Sequence, residues 1–292
     1  TATNHNYLLL FTEQGRCFWI RAFEVPEGEK SSKGRAILNL LNIDPNDKIK
    51  AYVNVESLTD AEYIGNHYIV MCTKKGIVKK TTLEAYSRPR TNGVNAITIR
   101  EDDKVIQVRL TTGNSEIIMA NRNGRAIRFN ESKVREMGRT ATGVRGMTLD
   151  GPEDEVVGMI AINDPQTETV MVVSEQGYGK RSDLEDYRIT NRGGKGVKTL
   201  NITDKTGPLI AIKAVTDDDD LMIINKSGIV IRMHLTDLRI MGRATQGVKL
   251  IDLTKKNDRI ASVCRVMREE EEEIIEEGAQ EGASEATPEV SE

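Results

Sequence analysis

Short apolar runs broken by a polar turn that ends in glycine recur five times along the chain. The segments are YLLLFTEQGRCFWI, YIVMCTKKGIVKKT, EIIMANRNGRAIRF, TVMVVSEQGYGKRS and DLMIINKSGIVIRM. The turn glycines are Gly15, Gly76, Gly124, Gly177 and Gly228. A polar residue followed by glycine between two β-type runs fits a hairpin turn that needs positive φ. The pattern predicts five β-hairpins.

A second glycine (Gly34, Gly93, Gly143, Gly196 and Gly247) follows each turn glycine after 17 to 19 residues. Behind it comes a third β-type run (AILNLLNI, VNAITI, VRGMTL, VKTLNI, VKLIDL) and then a fourth rich in Val and Ile. Four strands per repeat of ~50 residues predict an all-β, propeller-like array in which each unit buries its faces against its neighbours. The repeats are expected at about 7–55, 68–110, 116–162, 168–215 and 219–267. A solenoid is the rival arrangement. The β-branched content and the absence of a long 3.6-residue period exclude helical and leucine-rich repeats. Aromatic residues make up only 4% of the chain, with Trp19 the single tryptophan, and no repeat carries Trp-Asp or Gly-His signals of the WD type.

Charge changes this picture. The formal net charge of -4 averages two unlike segments. Residues 269–292 hold eleven glutamates and no base, so the body before them has 41 basic against 34 acidic residues, a net +7. A basic body with an acidic tail points to a polyanionic partner. The tail is expected to be disordered, either as a competitor for the body's cations or as a solubilising segment. No apolar run approaches the ~18 residues of a membrane span, and there is no secretory leader pattern, so the expected location is cytoplasmic with no membrane partner. The first residue is Thr1, which is read as a fragment.

Catalytic chemistry is not indicated. Cys17, Cys72 and Cys264 lie far apart in apolar runs and are expected to be reduced core residues. His5, His67 and His234 have no evident nucleophile beside them. No G-x-x-x-x-G-K-S/T loop is present. The expectation is no catalytic residue, no metal site and no cofactor within these residues.

Basic residues, by contrast, repeat. The loop before each third run carries Lys30, Lys33 and Arg35, then Arg88 and Arg90, Arg139 and Arg145, Arg192 and Lys195, and Arg243. In the fourth repeat the cations flank Gly193 and Gly194, where backbone amides could approach a phosphate. A second series lies on the second strand: Lys79 and Lys80, Arg128, Lys180 and Arg181, and Arg232, with Arg16, Arg21 and Arg125 beside them. Arranged radially, both series are expected to form a basic rim that neutralises phosphates of a bent duplex without reading bases.

The loops GRTATGVRGMTL and GRATQGVKLIDL, the opening FTEQGRCFWIRAFEVPEGEKSSKGRAILNLL, and QGYGKRSDLEDY closely resemble the C-terminal domain of bacterial DNA gyrase A. The resemblance covers about Tyr7 to Arg268 and extends to the acidic tail. It implies a β-pinwheel that binds and wraps duplex DNA on a basic outer rim during negative supercoiling. It also implies two protein partners in the holoenzyme, the N-terminal part of gyrase A, which holds the cleaving tyrosine, and gyrase B, which binds ATP. The parent enzyme is expected to use ATP and Mg2+. The family normally has six blades, the first with a Gln-Arg-Arg-Gly-Gly-Lys-Gly type box, whereas five repeats are visible here. The chain is expected to begin just after that first repeat. NRGGKG at 191–196 is box-like but sits in the fourth visible repeat and lacks the leading glutamine. A topoisomerase IV-like domain that binds without strong wrapping, and a protein-binding propeller scaffold, are the alternatives.

Overall fold

The structure, a computed structural model, describes residues 2–29, 32–253 and 258–268. Lys30 and the acidic stretch 269–292 lie outside the described residues. The first repeat forms β1 (Tyr7–Thr12), β2 (Arg16–Arg21) and β3 (Ile49–Val55). The second forms β4 (Tyr68–Thr73), β5 (Ile77–Thr82), β6 (Val94–Asn95) and β7 (Val105–Thr111), preceded by the one-turn helix α1 (Ala61–Asn66). The third gives β8 (Glu116–Asn121), β9 (Arg125–Asn130), β10 (Val144–Arg145) and β11 (Val156–Ile162). The fourth gives β12 (Thr169–Ser174), β13 (Tyr178–Ser182), β14 (Val197–Lys198) and β15 (Leu209–Val215). The fifth gives β16 (Asp219–Asn225), β17 (Val230–His234), β18 (Val248–Lys249) and β19 (Ile260–Met267).

The hairpin strands read as continuous apolar runs because both of their faces are covered. Buried clusters lie between successive blades: Leu9 and Phe11 with Ile69 and Met71, Val70 and Cys72 with Ile117 and Met119, Ile118 with Val170, and Met171 with Leu221. The fourth strand of each repeat is innermost, and β3, β7, β11, β15 and β19 together line one axial cavity of about 650 Å³. No buried cluster among the described residues joins the fifth blade to the first. The free face of blade one is covered instead by its own Leu41 and Ile43, packed on Leu10, Phe18 and Ile20.

The third strand departs from the sequence expectation in two ways. It is only two residues long, and it does not join the sheet of its own repeat. The sheet orders are β3-β1-β2-β6, β7-β4-β5-β10, β11-β8-β9-β14 and β15-β12-β13-β18, so each outer strand is donated by the following repeat. The second glycine makes this exchange possible. Gly196 has φ +74°, and a Cβ there would lie 2.2 Å from the Ala126 carbonyl oxygen, so no other residue fits. The fifth sheet, β17-β16-β19, has three strands among the described residues and no donated outer strand. The run AILNLLNI joins no sheet among the described residues. It forms a 3-10 turn at Ile37–Asn39 instead of a strand, leaving Ile37, Leu38 and Leu40 exposed.

Candidate nucleic-acid interface

Five of the second-strand cations, Lys79, Lys80, Arg128, Lys180 and Arg181, are not on the surface. Lys79 is fully buried and donates to the carbonyl oxygens of Ala96 and Arg139, the latter at 2.7 Å. Lys80 is buried against Glu131 at 3.4 Å and over the Tyr68 ring. Arg128 donates through Nε to Glu116 at 2.7 Å and through Nη1 to the Leu184 and Tyr187 carbonyls at 2.7 and 3.0 Å. Lys180 is fully buried and reaches the Gly242 carbonyl at 2.7 Å. Arg181 pairs with Asp217 at 2.6 Å and donates to Thr169 and to the Leu235 carbonyl. In each of these cases the acceptors include a backbone carbonyl or carboxylate of the next repeat, or a loop folded against it. A buried cation is tolerated only when paired or hydrogen-bonded, and these satisfy that condition by joining blades. Burial, assisted by the nearby Arg139 charge, pushes the Lys79 ammonium down to about 7. Burial likewise takes Lys180 down to about 8, with Arg243 adding to the shift and Asp186 opposing it. The expectation that Lys79, Lys80, Arg128, Lys180 and Arg181 face solvent on the rim is therefore corrected. Arg232, at the equivalent place in blade five, is exposed and pairs with the buried Asp220 at 2.6 Å.

The loop cations divide differently. Lys33, Arg35, Arg88, Arg90 and Arg145 are exposed, while Arg139 is half-buried. Arg192 and Arg243 hold equivalent places and make equivalent bonds: Nη1 of Arg192 donates to the Arg145 carbonyl at 3.0 Å, and Nη1 of Arg243 to the Lys198 carbonyl at 2.9 Å. Each guanidinium thus ties its loop to the outer strand donated by the repeat before it. Arg192 also donates to the Lys133 carbonyl. The Gly193 amide is used internally, donating to the Gly146 carbonyl, while Gly194 is exposed. Lys195 is exposed and rests on Asp150 at 3.1 Å.

Further exposed cations join Arg145, namely Lys198, Lys249, Arg135, Arg188 and Arg239, for which the sequence pattern gave no expectation. The outermost strands present Asn95, Arg145, Lys198 and Lys249 at one register, all exposed. Arg135, Arg188 and Arg239 form another equivalent set, exposed and without a carboxylate partner among the described residues. A constant offset was the available signal: one set lies eight residues before the second glycine and the other two residues after it. Together they place cations at repeated positions on and beside the edge farthest from the axis.

The thiols also divide. Cys17 and Cys72 are buried, and burial pushes both thiols up, whereas Cys264 is exposed at the axial cavity, contrary to the expectation of a core residue. His234 accompanies Arg232 on Asp220, and His67 stacks on Tyr63. Among the described residues no group of three His, Cys, Asp or Glu could hold a metal ion, and no helix is long and apolar enough to cross a membrane.

Comparison with known proteins agrees with this repeat plan. The profile described as DNA gyrase C-terminal domain, beta-propeller, matches residues 6–51, 67–112, 115–163, 168–216 and 219–265. DNA gyrase A of Staphylococcus aureus strain NCTC 8325 is 40% identical over 277 residues, 94% of this chain and 30% of the relative; strain COL gives the same values. The chain thus spans about 30% of the length of these relatives. Among solved structures, the C-terminal domain of DNA topoisomerase IV superposes with a TM-score of 0.80 at 27% identity, covering 90% of this chain and 80% of that one. A DNA gyrase A C-terminal domain superposes at 0.77 and 24% identity, covering 91% and 84%, a likeness of fold. The chain belongs to the DNA gyrase C-terminal domain family of β-propellers.

Proposed function

We propose that the chain holds duplex DNA along the outer edges of its blades and bends it there, in support of negative supercoiling by a gyrase-type topoisomerase. The observation that carries this reading is the repeated exposure of Arg145, Lys198 and Lys249 on the outermost strands, with Arg135, Arg188 and Arg239 on the adjoining loops. Cations at one register in successive blades suit a backbone that follows an arc, and they carry no base-reading geometry. Lys33, Arg35, Arg88, Arg90 and Lys195 extend the same surface, while Arg192 and Arg243 hold the loops that present it. Bending 20–30 base pairs costs roughly 1–6 kcal/mol, which several distributed phosphate contacts can offset. Strand cleavage, ATP and Mg2+ are assigned to the rest of gyrase A and to gyrase B, and the location to the cytoplasm.

A ligation assay on nicked circles tests the reading. The chain is expected to shift the linking number in one direction, and the combined variant Arg145→Glu, Lys198→Glu, Lys249→Glu to abolish the shift. No shift from the unaltered chain, with duplex binding retained, would instead support the topoisomerase IV-like alternative. The absence of a buried cluster between blades one and five, among the described residues, is the observation that favours that alternative. Absence of duplex binding would exclude both.

A further inference from the structure

The axial cavity carries an excess of positive charge that the rim does not explain. Lys50, Arg109, Lys213 and Arg265 line it, with Glu168 as the single acid among the lining residues. Arg109 and Lys213 hold equivalent places on β7 and β15, paired across the ladder with Val70 and Met171. At the same place β3, β11 and β19 carry Val53, Ile160 and Cys264, so the cations protrude between largely apolar neighbours.

Little opposes these charges. Neither Arg109 nor Lys213 has a carboxylate partner among the described residues. Among the described residues Arg109 donates to the Val108 carbonyl and to the side-chain oxygen of Gln107. Arg265 lies 3.5 Å from Asp219 and 3.4 Å from the Ala214 carbonyl, both long contacts. Glu168 is buried and accepts from the backbone N–H groups of Asn163 and Asp164 at 2.7 and 3.1 Å. Lys50 leans on Glu13 at 3.7 Å. Like charges beside apolar walls repel more strongly than in water. Burial, then the Arg109 charge, accordingly lowers the Lys213 ammonium. A bound anion would relieve both the desolvation and the repulsion.

We propose that the axial cavity is a binding site for a compact multivalent phosphate-type anion, held between Arg109, Lys213 and Arg265. Its volume of about 650 Å³ falls in the range of small-molecule sites. The guanidinium of Arg109 supplies paired N–H donors and Lys213 a point charge, a combination matched to phosphate oxygens. The site lies on the sheet edge opposite the outer strands, so it stands or falls separately from the DNA surface.

Pyrophosphate titrated calorimetrically into the chain at constant ionic strength tests the proposal. One saturable site is expected, weakened about tenfold in Lys213→Met, the loss of one charge-assisted contact, and abolished in Arg109→Leu with Lys213→Met. The rim variant Arg145→Glu, Lys198→Glu, Lys249→Glu should bind pyrophosphate as the unaltered chain does. Cys264 gives a readout inside the cavity: pyrophosphate should slow its alkylation by N-ethylmaleimide, without need of any variant. No saturable heat, binding lost only in the rim variant, or unchanged Cys264 labelling at saturating pyrophosphate would overturn the proposal.

Discussion

Trp19 donates its indole N–H to the Tyr86 carbonyl oxygen at 3.0 Å, and in blade three Arg128 makes the equivalent bond to Tyr187 at 3.0 Å. Both donors sit four residues after the turn glycine; of the acceptors, Tyr86 ends a short 3-10 segment of the next repeat and Tyr187 directly follows one. One position thus joins successive blades with an indole in one place and a guanidinium in another. Replacing Arg128 with Ala would leave Glu116 unpaired and the Tyr187 carbonyl without its donor, while the Leu184 carbonyl would keep only the Tyr187 N–H. A loss of about 3–5 kcal/mol is expected, measurable by urea unfolding, whereas Arg145→Ala should stay within about 0.5 kcal/mol.

Gly34 and Gly196 share positive φ, +69° and +74°, but only Gly196 is pressed against a neighbouring strand. Gly34→Ala should cost about 1–2 kcal/mol, the left-handed backbone term alone. Gly196→Ala adds a clash with the Ala126 carbonyl and should displace β14 from β9. Thermal unfolding of the two variants side by side checks this, and equal losses would contradict it.

Lys79 and Lys180 make stability depend on pH in a stated direction. Their folded values of about 7 and 8 lie below the ~10.4 of an unfolded lysine. Between those values the unfolded chain holds more protons, so stability should rise with pH from about 7 towards 10, by at most about 1.4 kcal/mol per unit for each group. Urea midpoints at pH 7 and pH 9 test the slope, and Lys79→Met should remove its own share.

Among the described residues the outer edge of β17 has no partner strand, and Val230 on it is 51% exposed with Ile229 beside it at 40%. Open apolar edges template further strand pairing. Val230→Lys should therefore reduce concentration-dependent self-association in sedimentation velocity while leaving the unfolding midpoint within a degree or two, as a surface substitution does.

The hairpins were legible because turn glycines and buried two-faced strands leave a local pattern. Strand exchange was not, since a two-residue strand such as Val144–Arg145 has no period of its own and its partner, Ile77 with Val78, belongs to another repeat. The same non-locality misassigned the cations. Sequence shows that Lys79 and Lys198 are both charged, but only the following repeat decides that the first is covered and the second is not. AILNLLNI has the composition of a strand, yet a strand needs a ladder, and no hairpin among the described residues pairs with it.

The central claim is that the exposed cations of the outermost strands, not the buried Lys79, Lys80, Arg128, Lys180 and Arg181, meet the phosphates. It is tested most directly by the slope of log affinity for duplex DNA against log salt. Each lost phosphate contact should make the slope shallower by about 0.9, so Arg145→Gln, Lys198→Gln, Lys249→Gln together should reduce it by up to about 2.7. An unchanged slope in that variant, folded by circular dichroism, would contradict the account.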